Sequence, residues 1–191
     1  MRERLRNAAL ELYSDRGFER TTTAEVASRA GVTERTYFRH FPDKREVIFD
    51  GEAALQASFA GAVAEAPDLA PMRLLRYAFT SLAVRVEGDR DLQARQHRVI
   101  AAAPELQERA ATKAAHLAQV VADALTARGS PAPVASLAAG CGTAALNRAR
   151  REWLVGSPQS FAALVGDAFD DLELLFQASS AAVLPPHGRD V

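Results

Sequence analysis

The sequence predicts an all-α protein. Three observations carry that expectation. Apolar residues recur at helical spacing through most of the 191 residues. No alternating run rich in valine, isoleucine and threonine marks a strand. Breaks bearing glycine or proline divide the chain into helix-length pieces, about nine in all. With 48% apolar and 25% charged residues the chain can bury a real core, so disorder is expected only at the ends.

In the first piece, Leu5, Ala8, Ala9, Leu12 and Tyr13 form one stripe that stops at Gly17, and Phe18 anchors the loop that follows. Thr23 is expected to cap a second helix of about two turns, with Val26, Ala27 and Ala30 facing inward and Gly31 at its end. Thr33 caps a short third helix. There Tyr37 and Phe41, one turn apart, face the core with Val32. Glu34, Arg35, Phe38 and Arg39 are left on the other side, with Thr36 and His40 at the border. Helix, tight glycine turn, helix, with a longer helix before them, is the pattern of a helix-turn-helix, whose second helix enters the major groove of DNA.

Pro42 interrupts the third helix, and Asp43 is expected to cap a fourth that begins at Lys44 and carries Val47, Ile48, Leu55 and Phe59. "APDLAP" then precedes a helix from Met72 to Val86, and "EGDRD" one from Leu92 to Ala102. Pro104 opens a helix to Ala127, because its missing amide hydrogen costs nothing in a first turn. "RGSPAPV" introduces the eighth, to Leu154. Ser157 and Pro158 are expected to cap and start the ninth, which fades by Ser180. The expected division is a helix-turn-helix domain over 1–48, a larger helical domain over 49–180 and a flexible tail over 181–191.

Charge and composition exclude several classes. The net charge is −1, and the first fifty residues hold ten Lys/Arg against nine Asp/Glu, so a DNA role must rest on where charge is placed. Cys141 stands alone, which rules out an intrachain disulfide and fits a reducing cytoplasm. The histidines at 40, 97, 116 and 187 have no metal-ligand spacing, and there is no phosphate-binding glycine loop. Asp170 and Asp171 read as a solvated helix face. No catalytic residue, metal or cofactor is therefore expected. "MRERLRNAALELY" is neither a signal peptide nor a membrane anchor, and the weakly polar run from Pro131 to Leu146 is too short to span a bilayer.

The stretch "LRNAALELYSDRGFERTTTAEVASRAGVTERTYFRHFPDKREVIF" resembles the DNA-binding segment of the TetR family of bacterial transcriptional regulators. The likeness lies in an "A..L....G" first helix ending in "GF", a threonine run, "VA..AGV" and "T..F.HF.DK". Later, "VIAAAPELQERAATKAAHLAQVVADALTAR" and "AALNRARREWL" are similar to an actinobacterial subgroup associated with acyl-CoA-like ligands. The resemblance implies a cytoplasmic homodimeric repressor. Its first three helices would bind a palindromic operator in double-stranded DNA; the rest would form a pocket and a dimer interface. The partners implied are DNA, a second copy of the chain and a small apolar or acyl-CoA-like effector, with no membrane.

By that resemblance, Thr33, Arg35, Thr36, Tyr37, Phe38, Arg39, His40 and Lys44 fall where DNA contacts are usual. Thr33, Thr36, His40 and Lys44 suit phosphates. Arg35 and Arg39 suit bases, since a guanidinium can donate two hydrogen bonds to guanine O6 and N7. Tyr37 packs inward, with its hydroxyl at the edge of the interface. Many relatives have glycine in place of Arg35 and tyrosine in place of Phe38, so the sequence recognised is this chain's own. Arg2, Arg4 and Arg6 suit either an arm toward the minor groove or a frayed basic terminus. Glu34 could accept from cytosine or form a solvated pair.

For the larger domain, apolar faces plus a few orienting polar groups are what a ligand pocket needs. Phe59, Met72, Phe79 and Leu82 supply such faces and Arg95 and His97 a cationic rim, although an apolar stripe is more often plain core. Ala138, Cys141 and Ala145 give the eighth helix a small-residue surface; Phe161, Val165, Phe169, Leu172 and Phe176 give the ninth a broad stripe. Two copies could pair these as a four-helix interface, or the stripe could serve intrachain packing. A helical ligand carrier or interaction module without sequence-specific DNA binding is the alternative function.

Overall fold

The computed structural model describes residues 1–181, apart from the side chains of Glu52, Val86 and residues 176–181. The tail expected at the end of the chain lies, beyond Ala181, outside the described residues. Among those residues there are nine α-helices and no strand: α1 (Arg2–Arg16), α2 (Thr23–Arg29), α3 (Glu34–His40), α4 (Glu52–Glu65), α5 (Pro71–Val86), α6 (Arg90–Ala101), α7 (Pro104–Ala127), α8 (Ala132–Leu154) and α9 (Phe161–Ala181). A single 3-10 turn over Glu46–Phe49 lies between α3 and α4. No helix among the described residues is long and apolar enough to cross a membrane.

Two apolar cores organise these helices. The first gathers Leu5, Ala9, Tyr13, Phe18, Val26, Tyr37, Phe41, Val47 and Ile48, and also takes in Val99, Ala103 and Leu106 from the α6–α7 corner. The second is built from α4, α5, α7, α8 and α9 around Phe59, Phe79, Phe169, Trp153 and Phe161. Val99, Ala103 and Leu106, in the segment expected to form the larger domain, thus pack with the N-terminal helices.

Helix boundaries follow local chemistry. Thr22, not Thr23, caps α2: its hydroxyl accepts from the Glu25 amide while the Glu25 carboxylate accepts from the Thr22 amide, a reciprocal capping box. The predicted fourth helix does not run on from Lys44. The Asp43 carboxylate accepts from the Arg45 and Glu46 amides and winds a 3-10 turn, and Gly51 at φ 95° then allows α4 to start on a new axis. In the ninth helix the cap is Ser160, whose hydroxyl accepts from the Ala163 amide, so Ser157 and Pro158 stay in the loop. Asp89 caps α6 at Leu92, which places its start before the expected Leu92.

The second core is closed by aromatic packing. Phe59 and Phe79 have ring centroids 4.7 Å apart, Phe79 and Phe169 6.1 Å, and Trp153 and Phe161 5.4 Å. α8 reaches this stack because Gly142 has no side chain there: a Cβ would lie 3.0 Å from Phe79 Cε2 and 3.1 Å from Leu75 Cδ1. We predict that Gly142→Val forces these rings apart and lowers stability by about 1–3 kcal/mol, as overpacking does. Urea denaturation would measure the loss, and unchanged stability would mean that α8 can slide off α5 without cost.

Candidate DNA-binding face and effector domain

α3 is positioned from beneath. Tyr37 and Phe41 are fully buried, 5.7 Å apart between centroids, and Gly31 makes the tight turn that feeds them inward at φ 68°. Thr33 caps the helix by accepting from the Thr36 amide at 3.3 Å, and the two threonine hydroxyls lie 3.1 Å apart. From α2, the Thr23 hydroxyl donates to the Glu34 carboxylate and ties the two helices together. Glu34 therefore has a protein partner.

With the inner face fixed, the outer face is set by helical geometry. Arg35 and Arg39 are exposed one turn apart, and among the described residues neither has a hydrogen bond or an ion pair. Phe38 is 49% exposed beside them, held edge-on by Tyr37 at 5.5 Å. Two uncompensated guanidinium groups flanking an exposed ring make a surface suited to phosphates and base edges.

Other predicted contacts are arranged differently. Burial holds both the Tyr13 and Tyr37 phenols protonated far above the ordinary range, with Tyr37 and Asp43 respectively adding to the effect. The Tyr13 hydroxyl donates to the Lys44 carbonyl at 3.0 Å and the Tyr37 hydroxyl to the Asp43 carbonyl at 3.2 Å. Tyr37 thus supports the face from within, its hydroxyl turned to the backbone. Lys44 lies over the Phe18 ring at 4.0 Å and donates to the Glu19 carbonyl at 3.4 Å. Burial pulls its ammonium below the ordinary value, partly offset by Glu105, Glu19 and Glu25. His40 is half-buried with Nε2 unpartnered, and its carbonyl accepts from Arg2.

Two of the arginines at the start of α1 are engaged within the chain. Arg2 is bound to Asp50 at 2.7 Å and lies over Phe41, while Arg4 donates to the Ala30 carbonyl at 2.6 Å.

The link to the larger domain is a cluster that the sequence did not announce. Glu46, in the 3-10 turn, accepts from Arg109 at 2.6 Å and faces Lys113 at 3.3 Å, both from α7. Gln96 of α6 donates to the Ile48 carbonyl at 2.6 Å, and Lys113 lies 5.4 Å over the Phe49 ring. The turn is therefore gripped by α1 and α3 on one side and by α6 and α7 on the other. Partners 63 residues apart at Glu46 and Arg109 leave no local pattern to find.

The predicted pocket residues do not converge. Phe59, Phe79 and Leu82 are buried in the second core with Met72 packed at its edge. Arg95 and His97 are exposed on α6, and Arg95 lines a small cleft of about 170 Å³ with Asn7, Glu11, Asp89, Asp91 and Leu92, against the N-terminal helices.

Most of the predicted dimer residues pack within the chain. Ala138, Ala145, Phe161, Val165 and Phe169 are buried inside one chain, and Leu172 packs against the same core. The physical reason is α5, which packs on both α8 and α9 and absorbs the broad stripe. Cys141 is half-buried, and the side chain of Phe176 lies outside the described residues. Within α8 and α9 the large apolar side chains left in water, among the described residues, are Leu137 at 74%, Leu174 at 61% and Leu175 at 65%, with Val134 one turn before Leu137; Val84 and Val155 are exposed elsewhere. Among the described residues no group of side chains could hold a metal ion.

Residues 5–50 match the family described as bacterial regulatory proteins, tetR family, and residues 69–177 match the MftR C-terminal domain. The chain is 35% identical over 86 residues to the HTH-type transcriptional regulator TcmR of Streptomyces glaucescens. That match covers 44% of this chain and 38% of TcmR, so the chain spans well under half of that relative. An uncharacterized HTH-type regulator of Bacillus subtilis, YvkB, is 39% identical over 46 residues, 24% of each chain. Similar folds include Thermus thermophilus FadR in complex with lauroyl-CoA, at 24% identity and TM-score 0.56 over 100% of this chain and 99% of that one. Bacillus subtilis FadR in complex with stearoyl-CoA has TM-score 0.60 at 14% identity, over 90% of this chain and 97% of that one.

The junction should be acid-sensitive. Burial would raise the Asp43 carboxyl, but the Arg45 side chain and the Arg45 and Glu46 amides outweigh it and hold it below the ordinary value. A group depressed in the folded state stabilises above its unfolded value, about pH 4, and the benefit is lost as pH falls through the folded value. Asp43→Ala should therefore cost about 1 kcal/mol at pH 7 through the lost cap. Thermal melts from pH 7 to 2 should show the gap to wild type closing below about pH 4; a constant gap would deny the carboxylate this role.

Proposed function

The chain belongs to the TetR family of bacterial regulatory proteins, and from that membership we propose that it is a homodimeric repressor released from a palindromic operator by an apolar or acyl-thioester effector. DNA-binding transcriptional regulation is the family's activity. The observation that carries the reading is the outer face of α3, where Arg35 and Arg39 stand unpaired on a helix whose inner face is locked by Tyr37 and Phe41. An unpaired surface cation pair on a rigid support is poised for DNA because no ion pair must be broken first. Arg35 and Arg39 read bases, Phe38 packs on sugar or a thymine methyl, and Thr33, Thr36, His40 and Lys44 meet phosphates.

Dimerisation brings two such faces to one spacing. The outward side of α8 and α9, with Val134, Leu137, Leu174 and Leu175 exposed, is the surface offered to the second copy. The effector sits among the helices of the larger domain. The complexes of the FadR proteins with lauroyl-CoA and stearoyl-CoA support an acyl-thioester class. Displacing α6 or α7 pulls on the 3-10 turn through Gln96, Arg109 and Lys113, and this turn joins α3 to the rest. Effector and operator must then weaken each other by the same factor.

Selection of purified protein against randomised duplex DNA should enrich an inverted repeat. Against that repeat, Arg35→Ala and Arg39→Ala should each lose about 1–3 kcal/mol of discrimination at a half-site position. Salt-sensitive binding without an enriched sequence would favour the carrier reading instead. Leu137→Glu with Leu175→Glu should produce monomers by sedimentation and abolish repeat binding while leaving the helical content intact; a persistent dimer would move the interface elsewhere.

A further inference from the structure

Among the exposed side chains of α3, Glu34 is the one acid. It opens the helix, and Phe38 stands one turn further along the same row, beside the row of Arg35 and Arg39. The N-terminal residues of a recognition helix are the ones that reach base edges. Glu34 forms no ion pair among the described residues, so neither neighbouring guanidinium neutralises it. Its polar contact there is with Thr23 of α2, whose hydroxyl donates to Oε1.

Three successive threonines divide the work at the entry to α2. Thr21 is buried and donates to the Gly17 carbonyl at 2.9 Å. Thr22 is consumed by the capping box with Glu25. The Thr23 hydroxyl is left to hold the Glu34 carboxylate, bridging α2 to the first residue of α3. A threonine is stiff at χ1, so this tie orients the carboxylate as well as restraining it. Among the described residues Glu34 Oε2 has no hydrogen bond. A carboxylate brought among phosphates is repelled, which lowers affinity for every duplex. The repulsion is offset only where a base edge supplies a donor. In the major groove cytosine offers its N4 amino group, whereas guanine offers O6 and N7 and thymine offers O4, acceptors that a carboxylate also repels. A charge that penalises the wrong partners is one route to specificity.

We propose that Glu34, oriented by Thr23, is a specificity-determining residue: its free oxygen accepts from a cytosine N4 amino group at one position of the sequence that each α3 reads, and rejects guanine and thymine there. The same charge holds down binding to duplexes that lack this cytosine. This role rests on α3 entering the major groove, and not on the repressor, dimer or effector assignments.

Selection of the full chain against randomised duplex DNA would be repeated with Glu34→Ala, Glu34→Gln and Thr23→Val. Dissociation constants would then be measured for the enriched sequence, its single-base variants and a random duplex. Wild type should favour cytosine over guanine or thymine by at least about fivefold at one position. In Glu34→Ala that preference should fall to within about twofold while the other positions keep theirs, and the random duplex should bind at least about twofold more tightly. In Glu34→Gln the preferred base should change from cytosine to adenine, whose N6 and N7 a carboxamide engages together. Thr23→Val should weaken the cytosine preference without tightening the random duplex, because the charge remains. A contact that merely joined α2 to α3 would, once lost in Glu34→Ala, lower the melting temperature and weaken all positions alike, and that result overturns the proposal. An unchanged set of preferences in Glu34→Ala overturns it as well, with the enriched sequence itself left standing. No enriched sequence from wild type defeats the major-groove reading and this role together.

Discussion

Two phenols hold the molecule's parts in register. Tyr13 and Tyr37, buried and locked in their protonated forms, donate to consecutive carbonyls of Asp43 and Lys44. A buried carbonyl without a donor would cost about 1–3 kcal/mol, so the chain path between α3 and the 3-10 turn depends on both rings being present. From that point the geometry propagates in two directions. Backward, the Tyr37 ring sets the rotation of α3 and with it which side chains stand in solvent. Forward, the turn presents Glu46 to α7 and the Ile48 carbonyl to α6.

The helix-turn-helix was legible because its signals are local. Glycine at the turn, a threonine cap and aromatic residues one turn apart each act over a few residues, and all point to the same local fold. The misplacements have local causes too. Thr22 competes with Thr23 for the cap, and Glu25 three residues on decides in favour of Thr22. Asp43 was recognised as a cap, but two successive amides on one carboxylate wind a 3-10 turn and leave the next helix to Gly51.

The larger domain was legible as helices but not as faces. A stripe such as Phe161, Val165 and Phe169 states that something covers it, and says nothing of whether the cover is α5 or another copy. The sequence also gives no sign that Arg95 turns toward the N-terminal helices. Long-range pairs such as Glu46 with Arg109, and Arg76 with Asp170, become visible only once the helices are packed. Periodicity reveals that a surface is hidden, and topology decides from whom.

The exposed cations of α3 have a consequence for the approach to DNA. With a net charge of −1, the molecule as a whole is weakly repelled by a polyanion, while the two unpaired guanidinium groups of α3 are drawn toward it. Such a charge distribution exerts a torque before contact, turning the tip toward the duplex as the bulk is pushed away. Encounters are thereby sorted by orientation. An encounter would then begin with the recognition helix already turned to the duplex.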